Sequence, residues 1–171
     1  INSDLANILG NLVNRTISMA NKYFDGTVNN KLVYEGLDED FIKAIKDLPL
    51  NVDKYMEKLE IGNAIDAIFD VLRKSNKYVD DTMPWVLAKD ETKRDRLETV
   101  LYNLLTSVLV CASELSPFLP DTAQEILRQI NQELNNNYEE DLSFSVLSAT
   151  PIFMRIDMDK KLEEIKLGTS N

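Results

Sequence analysis

Histidine is absent from this sequence and cysteine occurs once. The pair of shortages excludes a disulfide framework and the common zinc ligand sets, which draw on several sulfur or imidazole donors. Cys111 lies in the apolar run LLTSVLVCA with no imidazole to activate it, so it reads as a buried structural thiol rather than a nucleophile. Glycine and proline number only five each in 171 residues, which disfavours a turn-rich β architecture or a flexible linker. Cations are also scarce: 19 Lys and Arg face 29 Asp and Glu, a net charge of −10 that argues against a general nucleic-acid binder and against DNA as a partner. The long apolar stretch Val100–Leu115 is interrupted by Asn103, Thr106, Ser107 and Glu114, so no membrane span is expected. Without a signal peptide the expected location is the cytoplasm. The first residue is Ile rather than Met, as expected of an excised fragment.

What remains is a chain that is 44% hydrophobic, long enough for one substantial core, and dominated in its periodic segments by Leu, Ile and Ala. An all-α helical bundle of about five main helices is the expected fold. The first helix spans residues 3–24. Leu5, Ile8, Leu9, Leu12, Val13, Ile17, Ala20 and Phe24 share one face at steps of three and four, with Ser3 as N-cap and Asp4 in the first turn. Its far side is rich in Asn, a mediocre helix former that an ordinary solvent face replaces with Glu or Lys. Asn11, Arg15, Ser18 and Lys22 line the edge of the apolar face, an arrangement suited to recognition.

Asp25-Gly26 ends that helix, and 27–36 reads as a connector. A second helix over 38–58 takes Asp38 or Glu39 in its cap and first turn, and is kinked at Pro49. A third covers 61–79, where Gly62 is either a breaker or a close-packing point. Arg73, Lys74 and Lys77 oppose the dipole at its C-terminal end or contact phosphate. Pro84 forces Met83 out of helical geometry and restarts a helix at Trp85. The only Trp thus falls on a turn, either half-buried as a structural residue or presented as a stacking platform. Asp80-Asp81 fit turn and cap duty better than a metal pair. A fourth helix over 91–115 has the broad apolar face of a central bundle member, and a fifth over 120–135 directs Ala123, Ile126, Leu127, Ile130 and Leu134 inward. Residues 142–157 contain anchors at Phe144, Leu147, Ile152, Phe153 and Ile156 without a clear period, and a short charged helix is expected over 159–166.

No phosphate loop, dinucleotide fingerprint, H-E-x-x-H or C-x-x-C pattern occurs. The acid pairs Glu139-Glu140 and Glu163-Glu164 lie in solvated charge runs. No catalytic, cofactor-binding or metal residue is therefore assigned. The acid is unevenly placed, since residues 1–30 balance two cations against two anions, while 31–60 carry five against eight and 121–150 carry one against six.

Asn11-Leu12-Val13-Asn14-Arg15, Asn21-Lys22-Tyr23-Phe24-Asp25-Gly26, Asn76-Lys77-Tyr78-Val79-Asp80 and Pro84-Trp85-Val86-Leu87-Ala88-Lys89 occur in that order. Ser116-Pro117-Phe118-Leu119-Pro120 and Pro151-Ile152-Phe153-Met154-Arg155-Ile156-Asp157 follow. Together they resemble the anticodon-binding domain of bacterial-type methionyl-tRNA synthetases. The resemblance implies the class I synthetase bundle over residues 1–135, with 136–171 as an extension returning toward a catalytic domain of the same protein; Met154 stands where the family's pattern has Pro. It further implies recognition of the CAU anticodon of methionine tRNAs in support of ATP-dependent aminoacylation. Asn11 and Arg15 fall on the base-reading positions, Trp85 on the stacking position, and Pro84 and Asp80 on the surrounding motif. ATP, methionine and zinc belong, by the same resemblance, to the catalytic part, so this stretch alone is expected to be inactive. Two other readings stand beside it. One is a helical adaptor for a protein partner anchored by Trp85; the other is the bundle of a sister class I synthetase.

Overall fold

A computed structural model describes residues 2–152 and 163–168, with side chains from Ala6 onward. The main elements are α1 (Asn2–Phe24), β1 (Thr27–Asn29), α2 (Gly36–Glu57), α3 (Ile61–Thr82), α4 (Pro84–Leu87), α5 (Arg94–Leu115), α6 (Pro120–Ile130) and β2 (Ser143–Ser145). A single 3₁₀ turn, Glu91–Lys93, leads into α5. The caps expected at Ser3 and Asp4, the stripe residue Leu5, and the anchors Phe153 and Ile156 lie outside the described side chains. Residues 163–168 are helical, overlapping the helix expected over 159–166.

Helix α5 is the axis of the bundle. An apolar face that broad cannot be covered from one side, and α5 is enclosed around nearly its whole circumference, with Leu97, Leu101, Leu104, Leu105, Leu109 and Leu115 fully buried. Its polar residues are enclosed as well and bond to neighbours. Glu98 accepts the Asn29 N–H at 3.0 Å and Thr99 the Val33 N–H at 3.2 Å, satisfying the backbone of the connector after β1. Ser107 meets Ser75 of α3 at 2.5 Å.

The deepest polar contact joins α5 to α2. The Arg96 guanidinium grips the Asp38 carboxylate with Nη1 to Oδ2 at 2.5 Å and Nη2 to Oδ1 at 3.0 Å, and also donates to the Val33 carbonyl at 2.8 Å. Asp38 accepts the Glu35 N–H at 3.1 Å, which closes the N-terminus of α2. It also accepts the Tyr78 hydroxyl at 2.6 Å. Burial alone would lower the Arg96 pKa, but the hydrogen bond to Asp38 and the carboxylate charges of Asp38 and Glu35 outweigh it and hold the guanidinium more firmly charged than usual.

Several elements depart from their expected bounds. Helix α2 begins at Gly36, with Glu35 as its cap and Asp38 inside the first turn, and continues through Pro49. Helix α3 runs three residues beyond 79, to Thr82. Arg73, Lys74 and Lys77 therefore lie short of its last turn and do not complement its dipole; Arg73 pairs with Asp70 at 2.9 Å and Lys77 with Asp81 at 2.6 Å. Gly62 is neither a breaker nor a packing point, because it lies inside the first turn of α3 with open space where a Cβ would be. Helix α6 stops at Ile130 because Asn131 turns into the left-handed region, φ 55°, and Leu134 is left 62% exposed instead of facing inward.

The small antiparallel ladder of β1 with β2, Val28 opposite Phe144, has no counterpart in the expected elements. It forms because α1 ends through Asp25 and Gly26, both at positive φ, which turns the chain into an extended strand. Gly26 is required there. A Cβ would sit 2.8 Å from Asn21 Oδ1 and 3.0 Å from the Val146 carbonyl. Phe144 is fully buried and packs edge-on against Tyr102 at 5.6 Å. The Tyr102 hydroxyl donates to the Glu139 carbonyl and accepts the Leu142 N–H, and burial pushes its pKa up to about 12. Gln129 of α6 bonds Thr150 through its side chain and accepts the Leu147 N–H on its carbonyl at 2.8 Å. The segment up to Thr150 is thus sewn into the bundle.

Removing one member of the Arg96–Asp38 pair by Asp38→Asn or Arg96→Met is expected to cost about 3–5 kcal/mol in denaturant unfolding, since the partner charge is left buried. The double replacement Asp38→Leu/Arg96→Met should cost less than the sum of the single changes. A second expectation concerns pH. Hydrogen bonds from Arg128, then Gln129, hold the Glu125 carboxyl down to about 2. A depressed carboxylate stabilises the fold above its unfolded pKa of about 4.3 and loses that contribution as pH falls toward the folded value. Glu125→Gln should therefore lower the thermal midpoint relative to wild type at pH 6, and the gap should narrow steadily as pH falls from 4 toward 2.

Candidate nucleic-acid interface

The four-residue helix α4 shows how the chain presents an indole. Pro84 fixes φ at the first helical position, and Met83 before it takes the left-handed conformation, φ 47°, ψ 67°. Pro84 is buried, and Leu87, three residues on, packs partly into the core. Anchoring one side of a single turn turns the other side out, and Trp85 and Val86 occupy it, with Trp85 40% exposed. Trp85 is accordingly a presented residue on an anchored turn. The turn closes with the Ala88 N–H on the Pro84 carbonyl at 2.9 Å, and Asp90 then caps the 3₁₀ turn by accepting the Thr92 N–H at 3.0 Å. Beyond it, Arg94 donates to the Tyr23 carbonyl at 3.1 Å and lies 4.5 Å over the Phe24 ring, tying the start of α5 to the end of α1.

Asn11 and Arg15 lie one turn apart on the exposed side of α1. No hydrogen bond among the described residues engages the Asn11 amide, which leaves its donors and acceptor open. Arg15 Nη2 stands 3.7 Å from Asp80 Oδ1, with the two side chains 42% and 69% exposed. That separation is an ion pair without a hydrogen bond, screened by solvent and weak. Asp80 and Asp81 occupy the last turn of α3, where the helix dipole disfavours carboxylates; Arg15 offsets one and Lys77 the other. Asn76, one turn earlier on α3, reaches the Ile8 carbonyl of α1 at 3.5 Å. The two helices therefore run in the same sense along their seam, with Ile8 near Asn76 and Arg15 near Asp80.

The structure brings Arg15 and Asp80 into contact, has Asn11 one turn before Arg15 on α1, and leads from Asp80 through Met83 and Pro84 to Trp85. No hydrogen bond, ion pair or ring contact joins Trp85 to Asn11 or Arg15. The seam carries no acid of α1 itself, because none occurs between Asp4 and Asp25. In a chain of net charge −10, the α1 side of this surface carries amides and cations without an acid, facing Asp80 of α3, and the half-exposed Trp85 follows on the next turn of the chain. Two supports of the site lie outside its motifs: Arg94, signalled by its place at a helix start after an Asx cap, and the Tyr78 hydroxyl bond to Asp38, which joins residues forty positions apart and has no local signal.

Among the described residues, no group of three His, Cys, Asp or Glu side chains is placed to hold a metal ion. No helix among them is long and apolar enough to cross a membrane. Burial pushes the Cys111 thiol well above its usual range, in keeping with a structural role.

Asp80→Asn is expected to change folding stability by less than about 1 kcal/mol, because the pair it removes is exposed and open. Urea unfolding of the variant beside wild type checks this, and a larger loss would show Arg15 to be tied down rather than available.

Residues 32–162 match the family model of the anticodon binding domain of methionyl tRNA ligase. The matched span includes Asp80, Pro84 and Trp85 and begins after Asn11 and Arg15. The chain is 47% identical over 172 residues to the methionine–tRNA ligase of Clostridium acetobutylicum, an alignment covering 96% of this chain and 27% of that protein. It is 43% identical over 176 residues to the enzyme of Caldanaerobacter subterraneus, covering 99% of this chain and 28% of the relative. The fold superposes on the apo crystal structure of Mycobacterium tuberculosis methionyl-tRNA synthetase with a TM-score of 0.81 and 31% identity, over 90% of this chain and 33% of that one. The chain thus spans little more than a quarter of the length of the curated relatives it matches.

Proposed function

Because the chain belongs to the family of anticodon-binding domains of methionyl-tRNA ligases, we propose that it reads the CAU anticodon of methionine tRNAs through Asn11, Arg15 and Trp85. The observation that carries this reading is the seam itself. An unengaged Asn amide and a loosely held guanidinium project from successive turns of one anchored helix, and the only Trp of the chain is presented half-exposed from the turn that follows Asp80.

Each side chain has a distinct part. An anticodon base splayed from its loop exposes hydrogen-bonding edges that a helix-borne Asn and Arg can distinguish, since Asn offers a donor and an acceptor together and Arg a fork of donors. The indole provides a face on which a splayed base stacks. Pro84 holds that face outward by its own burial, and Asp80 keeps the Arg15 guanidinium at the seam without saturating it. The absence of acid between Asp4 and Asp25 spares a phosphate backbone approaching that stretch of α1 the repulsion of a like charge.

In the full-length protein this domain serves methionine–tRNA ligation in the cytoplasm. ATP, methionine and any zinc are held by the catalytic part, toward which we propose that residues 136–171 return as an extension of the 1–135 bundle, once the segment up to Thr150 has packed against it. Discrimination comes from this domain, and much of the phosphate binding from elsewhere in the enzyme.

In the full enzyme, Asn11→Ala and Arg15→Ala should each lose about 1–3 kcal/mol of discrimination between the correct anticodon and an altered one. Trp85→Ala should lose about 1–3 kcal/mol of stacking, part of it retained by Trp85→Phe. Aminoacylation efficiency on a methionine tRNA and an anticodon-altered version measures both, with methionine activation in the absence of tRNA as the control expected to survive. An unchanged correct-to-altered ratio in all three folded variants would overturn the assignment in favour of a protein-binding adaptor. Preference for a different anticodon by wild type would point to a sister synthetase.

A further inference from the structure

Tyr78 stands two residues before Asp80 and seven before Trp85, and it is the most heavily constrained side chain at that end of α3. Its ring stacks on Phe41 of α2, with centroids 4.2 Å apart and planes 20° from parallel. Its hydroxyl donates to Asp38 Oδ1 at 2.6 Å and accepts from Asn103 Nδ2 at 3.2 Å. Asn103 Oδ1 in turn accepts the Tyr138 hydroxyl at 3.1 Å, while Asp38 is gripped by Arg96. The phenol is thus held from α2, from α5 and, through Asn103, from the segment after α6. Its backbone also belongs to the closing turn of α3. The Tyr78 carbonyl accepts Thr82 Oγ1 at 2.7 Å, and the Val79 carbonyl accepts the Met83 N–H at 3.0 Å.

Packing does not require this degree of polar restraint, because a phenyl ring would fill the same space against Phe41. What the hydroxyl adds is direction. Residues two apart on a helix point about 200° away from each other, so a Tyr78 side chain locked toward the core determines the direction in which Asp80 leaves the helix. It likewise determines the point from which Met83 turns and α4 departs. We infer that Tyr78, clamped by Asp38 and Asn103, is a positioning residue that sets the placement of Asp80 and Trp85 at the recognition seam. Its consequence for RNA rests on the proposed anticodon reading; its consequence for Trp85 does not.

The mechanism follows from the number of bonds at stake. Without the hydroxyl, the ring keeps its stack and Val79 its burial, but the last turn of α3 loses its polar restraint, with Asn103 Nδ2 left unpaired. The recognition groups then sample a wider range of positions, and a site that depends on placement within a fraction of an ångström loses selectivity before it loses its fold. Asn103 acts one step further back, by holding the phenol from α5.

Trp85 is the sole Trp of these 171 residues, so in this stretch produced by itself the fluorescence reports this turn with no other contribution. Tyr78→Phe and Asn103→Leu are compared with wild type and with a remote control on α6, Ile126→Val or Ile126→Ala, whichever lies closer to Tyr78→Phe in thermal midpoint. Two quantities are read on each folded variant: acrylamide quenching of Trp85, and the affinity ratio for short RNA hairpins carrying a CAU or an altered anticodon in the loop. Tyr78→Phe and Asn103→Leu should each raise the quenching constant and lower the affinity ratio at least about fivefold, with the control unchanged in both. Wild-type quenching in both variants would overturn the inference, as would an equal change in the control, which would mark a general loss of stability. So would raised quenching with an unaltered ratio in a protein whose wild type discriminates. If wild type itself does not discriminate while quenching responds as expected, the anticodon reading fails and the positioning of Trp85 by Tyr78 stands. Should Tyr78→Phe not fold, Asn103→Leu, which leaves the Tyr78–Asp38 bond in place, decides alone.

Discussion

A single buried carboxylate holds this bundle in register. Asp38 accepts two hydrogen bonds from Arg96, one from the Tyr78 hydroxyl and one from the Glu35 backbone, so its charge is fully compensated where water cannot reach. An enclosed charge of this kind is costly unless every partner is present. The constraint therefore reaches outward: α2 must begin at Gly36, α3 must deliver Tyr78, and α5 must enter with Arg96 facing the seam between them. Arg96 also takes the Val33 carbonyl, which ties down the connector after β1. Apolar burial along α5 supplies most of the stabilisation, but apolar contacts tolerate sliding and rotation. A bidentate ion pair does not, because its geometry is directional.

The proposed recognition seam follows Tyr78 along α3, two residues before Asp80, and shares in that rigidity. Trp85 is exposed because Pro84 and Leu87, three residues apart, are anchored beneath it. Arg15 is available because its partner Asp80 sits at 3.7 Å, beyond hydrogen-bond reach. The groups proposed to meet a ligand are loosely held, and the elements that carry them are tightly held. This division suits discrimination, since a side chain already satisfied within the protein gains little from a base edge, and one on a mobile support cannot select among edges.

Charge is organised to the same end. The chain is strongly acidic, yet no acid occurs on α1 between Asp4 and Asp25, and the cations Arg15 and Lys22 lie there. The acids of α3 that border the seam are each offset by a neighbour, Asp80 by Arg15 and Asp81 by Lys77. On the proposed reading, such a domain repels nucleic acid over its acidic surface and admits it along the α1 seam. Selectivity by geometry and stacking rather than by bulk phosphate attraction is the physical expectation for such a surface.

Periodicity alone determined the helices, because an amphipathic stripe has to face a core whatever its neighbours are. Residues 3–24, 61–79 and 91–115 each disclosed an apolar face that the structure buries, and Pro84 disclosed the break that presents Trp85. Local chemistry also carried the amide-rich edge at Asn11 and Arg15. Termini were less legible: α6 ends at Asn131 and leaves Leu134 in solvent because a left-handed residue overrides a continuing apolar pattern. The ladder of β1 with β2 was hidden in two three-residue strands, too short for any alternation to register, and its pairing spans more than a hundred residues. Asp38 is the clearest case. As a residue near a helix start it looked like a cap, and it does bond the Glu35 backbone, but its larger part is to receive Arg96 and Tyr78 from fifty-eight and forty positions away. No local pattern encodes such a meeting, because a buried polar contact depends on which faces the folded bundle brings together, and only the tertiary structure decides that.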